Sequence, residues 1–598
     1  MKRLFKCYKL PMQTAICGSL LLLGCTNADY DFDKVDYTLG FGGETITLPG
    51  NNSTKEILLD DLLDISTSDL ITTEANGDYK LFKEPDNPIE PVEVNVEPII
   101  IDANNSQGLS FDINLPAFPA DILGQEIDLP YTPAVPGQDP IDIPEETGNV
   151  SLLEYEFDAD AAIKSLEYAE VGENGQGQDL ALSLQFPTEI KKFASLRIDL
   201  PDMLTMTCKT MADNFVFDPE TNMLAISNYQ VPANGRVNIV FNVTRINVKT
   251  IDDNNFVKLE NSKFMLKAYV NLTLKASRMI VPNTDKLTVY GETIFNDIPI
   301  TGARGVFDPE IDLDDVGTVN INSLPDFLTD EEVVADIDNP QIWLTLSSTM
   351  PLGGTINAQL TSDTHPTPIV LNPIEMAAST DGVTPTLTRI VICRQAPEGL
   401  TGYTPMIVPN LSELIEKLKE PMKINFTVTS AKASQETATI KLGYNYTLTP
   451  EYRFECPLAF GEKAIIVYSE TQNNWNKDID KLQLAKDAYV QITSTAINKI
   501  PADLVLEVTP LDKNGLELNA VTIDLIKKDI AGTKDAALES PLEAKISGDI
   551  SRLDGVTMKL KAKSNEQLRG VTLNKTSQTL KLKDFTVKVV GKVIYDAN

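Results

Sequence analysis

One histidine in 598 residues is the sharpest absence in this sequence. A single imidazole cannot supply a His-rich metal site or a pair of imidazole acid/base groups, which removes many hydrolase and oxidoreductase designs. Basic residues are also scarce, with 51 Lys and Arg against 86 Asp and Glu, a formal charge of −35. Nucleic-acid binding is excluded on that ground, because phosphate neutralisation needs clustered cations and a negative field repels a polyanion. Cysteine is sparse at six residues with no CxxC pair, so neither a zinc ligand set nor a dense disulfide framework is present. Only two tryptophans occur. Apolar residues nevertheless make up 42% of the chain, enough for several buried cores over a length that predicts about three to five domains.

At the N-terminus, Lys2, Arg3, Lys6 and Lys9 precede an uncharged stretch from Leu10 to Leu23. That stretch is shorter than the roughly 20 residues a membrane-spanning helix needs, and Pro11, Gln13 and Thr14 interrupt it, so it reads as an export signal. It ends Leu22-Leu23-Gly24-Cys25, which resembles the lipobox of bacterial lipoproteins. The resemblance implies that residues 1–24 are a signal peptide and that Cys25 is acylated and becomes the mature N-terminus. Two or more acyl chains on one residue give stable anchoring where one alone is marginal. Asp29, Asp31 and Asp33 follow, alternating with Tyr30 and Phe32, and are similar to the acidic post-cysteine segment of Bacteroidetes surface lipoproteins. The expected location is therefore the outer membrane, lipid-anchored and surface-exposed, with the periplasmic face as the alternative.

Removing residues 1–24 deletes four bases and no acids, leaving −39, of which −22 lies between Thr26 and Val150. This acidic segment, 25–149, carries a hairpin cue, Leu70–Thr73 against Tyr79–Phe82 across Asn76-Gly77, and a capping-box pattern from Ser53 to Glu56. Its second half is dense in proline, which fixes φ and removes donors. It reads either as a stalk or as strands bordered by Pro-rich loops.

From Val150 onward, period-two alternation dominates: Phe264, Leu266, Ala268, Val270, Leu272 and Leu274 share one face. The same pattern recurs at Ile424/Phe426/Val428, at Ile440/Leu442/Tyr444/Tyr446 and at Val556/Met558/Leu560/Ala562. Asn514-Gly515 marks a hairpin, Gly172–Gly177 reads as a hairpin tip, and a phase shift at Lys583-Asp584 predicts a bulge. Helix signals are few: Thr329 to Glu332, and Leu411–Lys419 capped by Asn410. The fold class is all-β, with antiparallel β-sandwich-like domains over 150–300, 301–460 and 461–598. A weak duplication, Trp343–Thr349 with Tyr489–Thr495, fits one sandwich per unit.

No catalytic constellation emerges. Cys208, Cys393 and Cys456 leave room for one disulfide, and Cys393 lies in an apolar strand, buried and inert. His365 sits in a polar loop with no nucleophile elbow before it. Trp475, among Gln472, Asn473, Asn474 and Asn476, could stack on a sugar, whereas Trp343 reads as core. Asp308, Glu310, Asp312, Asp314 and Asp315 suit Ca²⁺ in type but fail the EF-hand spacing, so no cofactor is expected and Ca²⁺ is the one candidate. The last 48 residues carry ten bases and four acids, a basic sheet that could face the acidic segment or an acidic glycan. The function expected is a non-catalytic envelope lipoprotein, similar in character to those of Bacteroidetes polysaccharide-uptake and fimbrial systems, presenting β-domains to a glycan or an envelope protein. The alternatives are a carboxylate-dependent glycoside hydrolase and a periplasmic lipid-handling protein.

Overall fold

The structure is a computed structural model, and it describes residues 38–596 apart from 42–45, 50–55, 64–67, 69, 86–88, 103–108, 136, 314–316, 329 and 475–481. The described residues form seven sheets, antiparallel almost throughout: six are arranged as three sandwich-like pairs, and the seventh joins Thr38–Phe41, Val593–Asp596 and Leu482–Leu484. No described helix is long and apolar enough to cross a membrane.

Alternation dictates the layers. In strand Lys263–Ile280 the six residues from Phe264 to Leu274 at even positions are each at most 1% exposed. Their neighbours point outward, where Lys263 reaches Glu156 at 2.7 Å and Lys267 reaches Glu154 at 3.8 Å across the paired strand Glu146–Asp158. One face joins the core while the other stays solvated.

The three pairs share one pairing order. In the first, one sheet runs Glu146–Asp158, Lys263–Ile280, Ile190–Asp199, Met223–Gln230. The second repeats it as Gly317–Ile321, Met422–Ala433, Gly354–Ser362, then Ile369–Val370 with Ile374–Met376. The third does so as Ile465–Gln472, Gly555–Lys563, Asp503–Leu511, Asp529–Ile530. In the facing sheets, Gln341–Ser348 lies between Thr386–Cys393 and Tyr446–Pro457, and Tyr489–Asn498 lies between Leu538–Gly548 and Thr579–Val590. The Trp343 and Tyr489 sequences thus occupy equivalent central strands.

The acidic N-terminal segment supplies further strands to all three pairs, in reverse order of sequence. Ile46–Pro49 and Ile57–Leu58 pair in the third sandwich with Thr579–Val590, while Thr38–Phe41 pairs with Val593–Asp596 in the small separate sheet. Tyr79–Lys83 and Val92–Val94 pair in the second with Tyr446–Pro457. Ile99–Ile101, Leu109–Asn114 and Glu126–Asp128 pair in the first. Strands bordered by Pro-rich loops, not a stalk, describe it. The hairpin across Asn76-Gly77 forms, with Thr73 opposite Tyr79 and Gly77 at φ 89°.

Several local expectations are corrected. Ile440 to Tyr446 is not one strand: Ala438–Lys441 pairs in the first sandwich and Tyr446–Pro457 in the second, because Gly443 at φ 67° turns the chain between them. Gly172–Gly177 is not a hairpin tip. Ile163–Val171 and Gln178–Gln185 run in the same direction along Arg236–Asn247, so the glycines interrupt one long strand. Gly177, at φ 84°, is a position where a Cβ would meet the Val243 carbonyl oxygen at 2.8 Å. The Leu411–Lys419 helix shortens to a 3₁₀ turn, Leu411–Ile415, and the Asn410 side chain makes no cap bond. The turn at Asn514-Gly515 closes with only the Leu511–Glu517 bridge, since Val521–Lys527 leaves for the other sheet. Ser53 and Thr329, the starts of the two capping-box patterns, lie outside the described residues.

Candidate functional site

The second sandwich carries the most developed surface site. Along Gln341–Ser348, the inward side chains Ile342, Leu344 and Leu346 are buried while Trp343, Thr345 and Ser347 face outward. Trp343, expected in the core, is therefore half-buried on the outer face. The register sets Arg453 directly opposite it, with the guanidinium carbon 5.1 Å from the ring centroid. On its other side Tyr403, at the start of Thr404–Ile407, meets it edge-on at 4.8 Å and 84°. The indole Nε1 donates to the Glu455 carbonyl at 2.9 Å. Cation–π and edge-to-face contacts of this kind each contribute about 0.5–1.5 kcal/mol and fix the ring's orientation.

Glu455 links this aromatic centre to the N-terminal segment. Its carboxylate accepts from Arg453 Nε at 2.5 Å and from Lys80 Nζ at 2.9 Å. Burial raises the Glu455 pKa, but the hydrogen bonds from Arg453 and Lys80 outweigh it, so the carboxyl titrates below its ordinary value. Tyr403 behaves similarly: burial raises its phenol, while hydrogen bonds with Thr345, at 3.2 Å, and Arg453 bring it below the usual value.

Two hollows flank the Trp343–Arg453 pair. One, of about 430 Å³, is walled by Glu84, Pro85, Ile89, Thr449, Glu451 and Tyr452. The other, of about 260 Å³, is walled by Asp78, Lys80, Gln341, Glu455, Pro457 and Thr572. Trp343 and Arg453 line both. Residues from positions 74 to 89, 341 to 345, 449 to 457 and 572 thus converge on one face. The signal for Trp343 was present in the sequence, since it is in phase with Thr345 and Ser347. Lys80, Tyr403 and Arg453 had no local signal.

The other candidates fall elsewhere. Cys25 and Trp475 lie outside the described residues, as do Asp314 and Asp315 of the calcium set. Asp308 of that set stands 3.8 Å from Lys164. Among the described residues, no three His, Cys, Asp or Glu side chains are grouped to hold a metal ion. Cys208, Cys393 and Cys456 are all buried free thiols, so the disulfide that their number allowed does not form. Burial raises the pKa of each, that of Cys456 to about 12. His365 Nε2 is 3.8 Å from Glu413, and nearby Ser362 donates its hydroxyl to the Leu414 carbonyl at 2.7 Å, so the two do not form a nucleophile and base. Among the described residues, the basic C-terminal stretch meets the acidic segment in one ion pair, Lys575 to Asp60 at 3.2 Å, whereas Lys561 reaches Glu332 at 2.8 Å and Lys583 reaches Glu539 at 2.6 Å.

No protein-family model matches the chain, and no curated protein matches it. Among solved structures, a protein from Parabacteroides distasonis ATCC 8503, inferred to be secreted, is 16% identical, with 49% of this chain and 90% of that chain covered at a TM-score of 0.32. The VP2 subviral particle of infectious bursal disease virus is 10% identical over 86% of this chain and 84% of that one, at a TM-score of 0.10. At such TM-scores neither likeness carries an argument about fold or activity.

Proposed function

We propose that this chain is a non-catalytic lipoprotein of the bacterial cell envelope, anchored to the outer membrane through lipid on Cys25, that holds a glycan in the groove around Trp343. The observation that carries the reading is the Trp343 ring itself, fixed by Tyr403 and Arg453 on an outward sheet face and lining two hollows at once. The larger hollow falls within the roughly 300–1,000 Å³ of small-ligand sites. An amphipathic aromatic between concave polar walls suits a sugar chain better than a flat partner surface does. Glu455 is unsuited to be a glycosidase acid, which must hold a proton at its working pH, because Arg453 and Lys80 hold its pKa below the ordinary value.

The test is a glycan array probed with the exported chain and with Trp343→Ala. The variant is expected to remain folded, with its melting temperature lowered only by the lost ring contacts, and to lose at least tenfold in affinity at a temperature well below that transition. Equal binding by both would remove the groove from the proposal, and release of shorter sugars from a bound polysaccharide would overturn the non-catalytic reading. Separately, Cys25→Ala is expected to move the protein from the membrane to the soluble fraction.

A further inference from the structure

The third sandwich differs from the other two in how its interior closes. In the first, Ile190–Asp199 is paired along Lys192 to Asp199 by Met223–Gln230. Its equivalent in the third, Asp503–Leu511, is paired on that edge by Asp529–Ile530 at Leu504 and Val505 and then not again until Leu511, which meets Glu517. The preceding strand, Val521–Lys527, joins the opposite sheet instead. The interior shows the consequence. Leu180, Leu182 and Leu184 of the first sandwich are 0% exposed, whereas inward-lining Ile492, Leu506, Val508, Ile523 and Met558 of the third each remain partly exposed. The buried residues split accordingly: Val521, Ile546, Leu553 and Val556 form a cluster separate from the main core, which Ala496, Leu504 and Leu580 join. Between the two parts lies a cavity of about 170 Å³.

The lining chemistry limits what can occupy it. The walls are Ile, Leu, Val, Ala and Met with one hydroxyl, Ser494, which donates to the Lys583 carbonyl at 3.0 Å, and no aromatic side chain, so they suit an aliphatic guest. An apolar cavity of about 150 Å³ stays dry and takes a benzene-sized guest, so this one accommodates about six carbons. Two charged groups, Lys527 and Glu543, also line it. Glu543 already accepts from Gln491 at 2.7 Å, while the Lys527 ammonium stands 3.8 Å from Glu543, is 54% exposed and makes no hydrogen bond to a described residue. A cation with donors to spare beside an aliphatic slot is complementary to a carboxylate carrying an alkyl chain.

We propose that the cavity of the third sandwich binds a medium-chain aliphatic carboxylate, its chain between the two sheets and its head group on Lys527. This site is independent of the Trp343 groove and stands whether or not that groove takes a glycan.

The experiment is calorimetric titration of the full exported chain carrying Cys25→Ala, prepared without detergent so that no other alkyl chain competes, with butanoate, hexanoate, octanoate and decanoate. Affinity is expected to rise about fourfold per added methylene while the chain is being buried, then to level off near the cavity's capacity. Ala544→Phe, which fills the cavity, should abolish octanoate binding. Lys527→Met should weaken octanoate three- to tenfold and leave 1-octanol unchanged. The proposal is overturned by absence of octanoate binding, by affinity independent of chain length, by octanoate binding that survives Ala544→Phe, or by unchanged octanoate affinity in Lys527→Met. It is overturned equally by concentration-dependent self-association that octanoate does not perturb, since a second copy would then be the occupant. The unsubstituted binding side chains of the length series keep the test valid even if Ala544→Phe fails to fold.

Discussion

Glu332 belongs to the second sandwich and reaches two lysines of the third, accepting hydrogen bonds from Lys559 and Lys561. Those bonds hold its pKa down, from an ordinary 4.5 to about 2. A carboxylate whose folded value is depressed contributes its stability above the unfolded value and loses it as pH falls through the folded one. The tie is therefore full above about pH 4.5 and gone near pH 2. Glu332→Gln should melt below the wild type at pH 6, the gap should narrow between pH 4.5 and 2, and salt should shrink it because the site is exposed. A gap that is constant with pH, measured by scanning calorimetry, would refute the assignment. At this scale the sequence was partly legible: Cys393 is buried in its strand as its apolar neighbours implied, but Trp343 was misplaced because size was weighed above phase. The cation that meets it, Arg453, comes from a strand far away in the chain, and no local pattern encodes that.

The bulge at Lys583-Asp584 was read from a one-residue phase shift, and it forms where Thr493 and Thr495 face Thr586 and Lys583. Asp584 takes φ 55°, a left-handed conformation that Asp tolerates and a β-branched residue does not. Asp584→Val should cost about 1–2 kcal/mol in a denaturant titration, and Asp584→Gly should be neutral or slightly stabilising. If Val is tolerated as well as Gly, backbone conformation is not what the position selects. Long alternating strands such as Lys263–Ile280 were similarly legible because one buried face enforces the period. The break between Ile440 and Tyr446 was not, because both flanking strands alternate in phase and only Gly443 shows that they enter different sheets.

Across the whole molecule, the thread of N-terminal strands ties the three sandwiches, a consequence that composition alone could not reveal. An acidic, Pro-rich sequence has the same local signature whether it spans solvent or borders a sheet. Deleting residues 26–62 removes the strands that pair with Thr579–Val590 in the third sandwich. Hydrogen exchange should then accelerate along Thr579–Val590, while the amides of Lys263–Ile280 keep their protection. Uniform acceleration would mean that the sandwiches unfold as one unit. The repeated pairing order was foreshadowed only by the Trp343 and Tyr489 segments, because such a plan is conserved in which strands are neighbours and not in which side chains they carry.

The reversed threading also sets a schedule. Asp78 is bonded to Asn574, 496 residues later, at 2.8 Å. At roughly 5–20 residues per second of synthesis, the early strands wait on the order of half a minute or more before their partners exist. An unpaired strand left waiting is a template for aggregation, and proline and like charge are the means by which chains prevent it. The net −22 and the prolines of this segment are features of that kind, placed in the part of the chain that must wait longest for its partners.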